Sequence, residues 1–394
     1  MGDTDDDIAD DVLPIAVDDL AVPIELTRLA PWHRSRKQII RRDQWGLLSE
    51  RLIVHEKGTP ALPTQFGGAH EVRYLTLPGS DFLDVEMIGE LARAHGCTLT
   101  SVGFLAGAQG NPTIARGELR QEGLIEAGVI SPQSYTFNRR IEEITKKSGA
   151  AYRELSNKGP FHVINLDACG SIAPPNNQGA NRIIDVVHAL LEYQFAKFRG
   201  RWLLFLTSDV RQEQFDEETI LKLFTAIKSN AHQYADFKAD AELLFANDIE
   251  DFEASLMAYV GSGIDNFMKG FALGFSKWLL MLAREAGWDM KMHTSFCYST
   301  TPEHDARATM PCLAFEFRPP APRLVDPTGI AAPAPDAPQT YGERALTVLS
   351  KVAGMQNLDE RLAANAVERA QLVEETKNWL GKIGYTNEAL QQLQ

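Results

Sequence analysis

The stretch Phe161-His-Val-Ile-Asn-Leu-Asp167-Ala-Cys-Gly170 decides the fold. Its apolar positions run nearly continuously instead of alternating, as in a strand covered on both faces, and such strands mark the parallel sheets of α/β proteins. Gly170 and Pro174-Pro175 then end it abruptly. Asp167 is thereby placed at a carboxyl edge, where open α/β sheets bind their ligands. It is the first candidate site residue, as a base, an acceptor-orienting group or a metal ligand. The alternative is an Asp that caps the loop through Gly170 and Ser171.

Upstream, Val72 to Gly79 reads as a first strand ending in a Pro-Gly turn. A helix from Phe82 to Ala94 follows, with Leu83, Met87, Ile88 and Leu91 at helical spacing. Thr98 to Leu105 is a second strand, ending at Ala106-Gly107, and Asn111-Pro112 opens a helix to about Ala127. Val129-Ile130 predicts a short third strand, and a helix is expected within Ser134 to Leu155. Downstream, Asn181 is expected to cap a helix through Ile183, Val187, Leu191 and Phe195, before a fifth strand at Trp202 to Thr207. Strict alternation of strand and helix implies a parallel sheet with right-handed crossovers.

The pattern then changes. A helical insertion from Glu217 to Val260 and a helix through Phe267, Phe271, Phe275, Trp278 and Leu282 lead to two consecutive strands, Met290 to Tyr298 and Pro311 to Arg318. No helix fits between them, so they are expected to pair as a hairpin. The predicted fold class is thus α/β: a Rossmann-like, seven-stranded, mostly parallel sheet with a terminal antiparallel hairpin strand, plus inserted and C-terminal helices.

From Val72 to Arg318 this order resembles class I S-adenosylmethionine-dependent methyltransferases, in which the last strand enters antiparallel. The resemblance implies a cofactor, S-adenosylmethionine, held by the loop after the first strand and the end of the second. Here those positions are Pro78, Gly79, Ser80, Asp81 and Asp84, then Ala106 and Gly107. The first loop has one glycine where the family usually has two or three, and no carboxylate follows the second strand before Glu118. Asn165-Leu-Asp167 matches the family's acceptor-facing site, without its Pro-Pro-Tyr. Two function classes follow: a methyltransferase, or a catalytically silent binding or scaffold subunit on the same fold. The look of a degenerate core with extra helices is also similar to accessory proteins of bacterial defence or mobile-element systems.

The net charge of −14 is unevenly placed: residues 1–25 hold nine acids and no Lys or Arg, leaving 44 acids against 39 bases elsewhere. Such a run is expected to be a disordered acidic tail. Next comes Pro31-Trp-His-Arg-Ser-Arg-Lys-Gln-Ile-Ile-Arg-Arg-Asp-Gln-Trp45. Arg34, Arg36, Lys37, Arg41 and Arg42 could neutralise phosphates while Trp32 and Trp45 stack on bases, which makes this segment the candidate for nucleic acid or another anionic partner. The competing reading packs the indoles inward and pairs the arginines with acids elsewhere.

Cys97, Cys169, Cys297 and Cys312 form no Cys-x-x-Cys, and His162, His188 and His293 fall on packed elements, so no metal is assigned. Cys169 has no neighbouring base to activate it. No signal-peptide pattern opens the chain, and Phe271 to Leu282 is too short and too polar at Ser276-Lys277 to span a bilayer, so a cytoplasmic protein is expected. Beyond Pro319 a Pro/Ala-rich linker leads to helices at Tyr341 to Ala353, Leu358 to Ile383 and Asn387 to Leu393. Their apolar set is too small for an independent core, so they are expected to dock on the main domain or on a protein partner.

Overall fold

The computed structural model describes residues 26, 29–30, 33–58, 70–107, 111–168, 170–175, 182–245, 264–300, 307–320 and 340–393. The acidic tail to residue 25, Trp32, the 59–69 connection, Cys169, Asn181, the end of the insertion at 246–263 and the linker at 321–339 lie outside the described residues. In chain order, α1 (Ser35–Ile39) runs through a π-helical stretch (Ile40–Gly46) into α2 (Leu47–Gly58). Then come β1 (Glu71–Thr76), α3 (Leu83–Ala94), β2 (Thr98–Phe104), α4 (Pro112–Glu126), β3 (Tyr135–Phe137), α5 (Ala150–Lys158) and β4 (Val163–Asp167). They are followed by α6 (Ile183–Lys197), β5 (Trp202–Thr207), α7 (Glu217–Gln233), α8 (Ala235–Phe245) and α9 (Ile264–Glu285). The chain ends with β6 (Asp289–Met292), β7 (Phe296–Tyr298), β8 (Met310–Arg318), α10 (Tyr341–Ala353), β9 (Gln356–Asn357), α11 (Leu358–Ala364), α12 (Ala366–Lys382) and α13 (Asn387–Leu390).

One sheet carries the order β3-β2-β1-β4-β5-β8-β7-β9, with β6 also on β8. β1 to β5 are mutually parallel. β8 enters antiparallel to β5, β6 and β7, so the expected hairpin is present. β4 is central, and its residues and those of β5 face apolar layers on both sides, which accounts for their continuous hydrophobicity. Leu166, Leu204, Leu206 and Phe315 meet α6, α7, α9 and α10 on one face. Tyr74, Val163, Phe205 and Ala314 meet the N-terminal helices, α3, α11 and α12 on the other.

Three expectations are corrected. Val129-Ile130 makes only an isolated bridge to Leu99, and the third strand is Tyr135–Phe137. A turn with Ser134 N–H donating to Ser131 O (2.9 Å) redirects the chain, and Phe137 then packs on Phe104 at 5.1 Å. The strand expected at Met290 to Tyr298 is split, and β9 adds a short segment beyond the seven expected. At the split, Gln44 Nε2 from the π-helical stretch donates to Thr294 O and Cys312 O, each at 3.0 Å, engaging carbonyls beside the gap. The cap of α6 is Arg182, whose backbone N–H donates to Asp185 at 3.0 Å.

The insertion closes tightly on α9. A Cβ on Gly274 would lie 2.8 Å from Leu223 O, and one on Gly270 would lie 2.3 Å from the Phe224 ring. Backbone cannot yield as a side-chain tip can, so Gly274→Ala is expected to destabilise by about 1–3 kcal/mol. Chemical denaturation checks this, and a loss under about 0.5 kcal/mol would show that α7 and α9 can separate freely.

Candidate functional site

β2, β1 and β4 are adjacent and parallel, so the turns after them open on one edge of the sheet. Pro78 is buried over β2: a Cβ on Gly103 would meet Pro78 Cγ at 2.9 Å, so only a glycine leaves room for the turn. Gly79 and Ser80 remain half-buried, while Ala106 and Gly107 are exposed. Gly107 N–H donates to Asn138 Oδ1 at 3.1 Å. Next to the turn, Phe82 caps α3 in the left-handed region with φ 53° and is buried. A bulky residue held there stores backbone strain, as ligand-facing loops often do.

The acids of this edge are engaged by the chain itself. Asp167 Oδ1 accepts from the Lys37 ammonium, which also faces the Trp45 ring at 5.2 Å and the Tyr298 ring at 5.6 Å. Burial by itself would lower the Lys37 pKa, but its neighbours together, the Asp167 carboxylate first among them, outweigh it and hold the ammonium above its usual range. Asp84 accepts from Tyr74 Oη (2.6 Å) and Thr76 Oγ1 (2.7 Å), and Asn165 Nδ2 donates to Tyr74 Oη at 3.0 Å. Buried Arg41 sits in the field of both Asp84 and Asp167. Burial pushes the Cys312 thiol up to about 12, so this neighbour of Lys37 is a neutral thiol near pH 7.

A second cluster lies where the first turn meets α4 and the C-terminus. His33 Nδ1 accepts from Ala30 N–H at 2.9 Å, which fixes the tautomer and leaves Nε2 to donate to Asp81 Oδ2 at 2.7 Å. Arg116 donates to Asp81 Oδ1, and Tyr385 Oη donates to Oδ2 at 3.1 Å. Burial raises the Asp81 pKa, but these donors outweigh it and the net shift is downward; burial lowers that of His33.

The expected anionic-partner residues fall mostly inside the molecule. Trp45 is buried against Phe205, with ring centroids 6.3 Å apart. Arg36 pairs with Asp359, and Arg42 pairs with Asp43 (2.6 Å) and Glu368 (3.2 Å). Arg41 faces the Trp379 ring at 5.9 Å. Arg34 is exposed, and Trp32 lies outside the described residues. What sequence reasoning missed is mainly pairings: Lys37 with Asp167, and His33, Arg116 and Tyr385 with Asp81. Lys37 and Asp81 were candidates there, one in a basic run and the other as an acid in a short turn before a helix, but without these partners.

These features define a Rossmann-like α/β protein whose parallel strands meet an antiparallel β8. The chain belongs to the PP_RS20740-like family, whose model matches residues 26–394. No match was found among curated proteins. Among solved structures, the chain is similar to an O-methyltransferase from a trans-AT PKS multienzyme of Brevibacillus brevis, crystallised with S-adenosyl-L-homocysteine. The two are 12% identical, with 92% of this chain and 96% of that chain covered and a TM-score of 0.30, too low for the likeness to bear on ligand or activity. Among the described residues no helix is long and apolar enough to cross a membrane.

Proposed function

We propose that the chain binds S-adenosylmethionine at the β1–β2–β4 edge and transfers its methyl group to an acceptor facing Asp167. The observation that carries the reading is the convergence of Gly79-Ser80, Ala106-Gly107 and Asp167 on one edge of a sheet closed by an antiparallel strand. Half-buried Gly79 and Ser80 and exposed Ala106 and Gly107 leave backbone within reach of a ligand, so the residues present fit the cofactor by main-chain contact. S-adenosylmethionine supplies an electrophilic methyl group on sulfur. The chain's own task is then to bind and orient, with Asp167 accepting a hydrogen bond from the acceptor. The test is calorimetric titration with S-adenosylmethionine and S-adenosylhomocysteine, followed by methyl transfer to fractionated cell extract. Asp167→Asn is expected to keep the affinity for S-adenosylhomocysteine within about twofold and to lose roughly 100-fold in transfer. Absence of heat and of thermal shift with both compounds would reject the reading.

One observation favours a second reading, a catalytically silent subunit that binds protein or nucleic acid. Asp167, Asp84 and Asp81 are each met by groups of the same chain, and β2 ends without a carboxylate. Under this reading Asp167→Asn changes stability alone.

A further inference from the structure

The edge holds its charges in opposed sets. Asp167, the last residue of β4, keeps 20% of its side chain exposed, whereas the Lys37 side chain behind it keeps 6%. Lys37 thus reaches the carboxylate from the protein interior and leaves the outer side of Asp167 toward solvent. Arg41, one helical turn on, places a second buried cation near Asp84 and Asp167. Tyr298 and Cys312, the other titratable neighbours of Lys37, are neutral near pH 7. Two cations from the N-terminal segment therefore balance two acids of the α/β core. An apolar pair of similar size could hold this segment to β4 at least as well, because an ammonium taken out of water loses hydration that its partner does not fully return. At the edge the buried ammonium opposes the field of Asp167.

We propose that Lys37 is a specificity-determining residue that sets how strongly this edge prefers a cationic ligand over a neutral one of the same shape. The inference rests on the methyltransferase reading, in which the two natural ligands differ by one charge: S-adenosylmethionine carries a sulfonium and S-adenosylhomocysteine a neutral thioether. With Lys37 in place the edge is balanced, and the two bind with similar affinity. Without it, Asp167 presents an uncompensated charge. An uncompensated unit charge, screened by solvent at this partly exposed edge, changes affinity roughly fivefold.

The experiment titrates each variant with S-adenosylmethionine and S-adenosylhomocysteine and reads the ratio of the two dissociation constants. Lys37→Met is expected to shift the ratio roughly fivefold toward the sulfonium compound, and Asp167→Asn to shift it in the opposite direction. Lys37→Arg should hold the ratio within about twofold of wild type, and raising salt should shrink the Lys37→Met shift. A purely structural role for Lys37 would move both affinities together, so an unchanged ratio in Lys37→Met overturns the proposal. If Lys37→Met does not fold, an unchanged ratio in Asp167→Asn overturns it instead. Wild-type protein that binds neither compound overturns the cofactor reading itself, an outcome distinct from binding both with a ratio that no variant moves.

Discussion

Asp81→Ala is expected to destabilise the protein by about 3–5 kcal/mol, the size seen when one partner of a buried pair is removed and the others stay behind. Asp81 and His33 are each 1% exposed, and the substitution strands the His33 Nε2–H, the Tyr385 hydroxyl and the Arg116 guanidinium together. The loss reaches across the sequence because these residues tie four distant segments: the N-terminus, the turn after β1, α4 and the chain beyond α12. Amide hydrogen exchange should accordingly accelerate around Tyr385 and in α13 more than in β4 or β5. Acid acts on the same cluster. The His33 pKa is lowered from 6.5, so the unfolded chain binds a proton there that the folded chain does not. Stability therefore falls as pH drops from 6.5 toward the folded pKa, and His33→Phe should flatten that part of the profile. A loss below about 1 kcal/mol for Asp81→Ala, measured by chemical denaturation, would show that the cluster contributes no more than a surface pair.

Lys277→Met is expected to stabilise the protein at pH 7, by on the order of 2–4 kcal/mol. Lys277 lies on α9 at 1% exposure, its Nζ donating to Ala226 O at 2.8 Å and facing the rings of Tyr341 and Phe237 at 5.5 and 5.7 Å. Burial lowers its pKa to about 7 from an ordinary 10.5. Between these values the unfolded chain holds more protons than the folded one, so wild-type stability rises with pH across that window and is lowest at and below its lower end. Methionine fills a similar volume without the charge, and it leaves the Ala226 carbonyl within its own helix. The difference between wild type and variant, followed from pH 7 to 10.5 by denaturation, should shrink steadily to nearly zero. A pH-independent difference would mean that shape, and not the ammonium, decides the effect.

β4 and β5 were legible because a strand buried on both faces must be apolar at every position, and that pattern is local. The same holds for α9, whose Phe271, Phe275 and Leu279 recur at helical spacing and are all buried. The closing pair was legible because two alternating stretches follow one another with no helical pattern in the sequence between them. β3 was not, since Val129-Ile130 and Tyr135–Phe137 are both short, and only packing on Phe104 decides which joins β2. Asp167 could be placed at the edge because its address depends only on where one strand ends. What it meets there could not be read. Lys37 lies 130 residues away, in a basic run whose composition is the same for a phosphate-binding face, a solvated face or a set of internal ion pairs. Periodicity records which side of an element faces the core. Which charge finds which partner depends on how distant elements dock, and only the tertiary structure decides that.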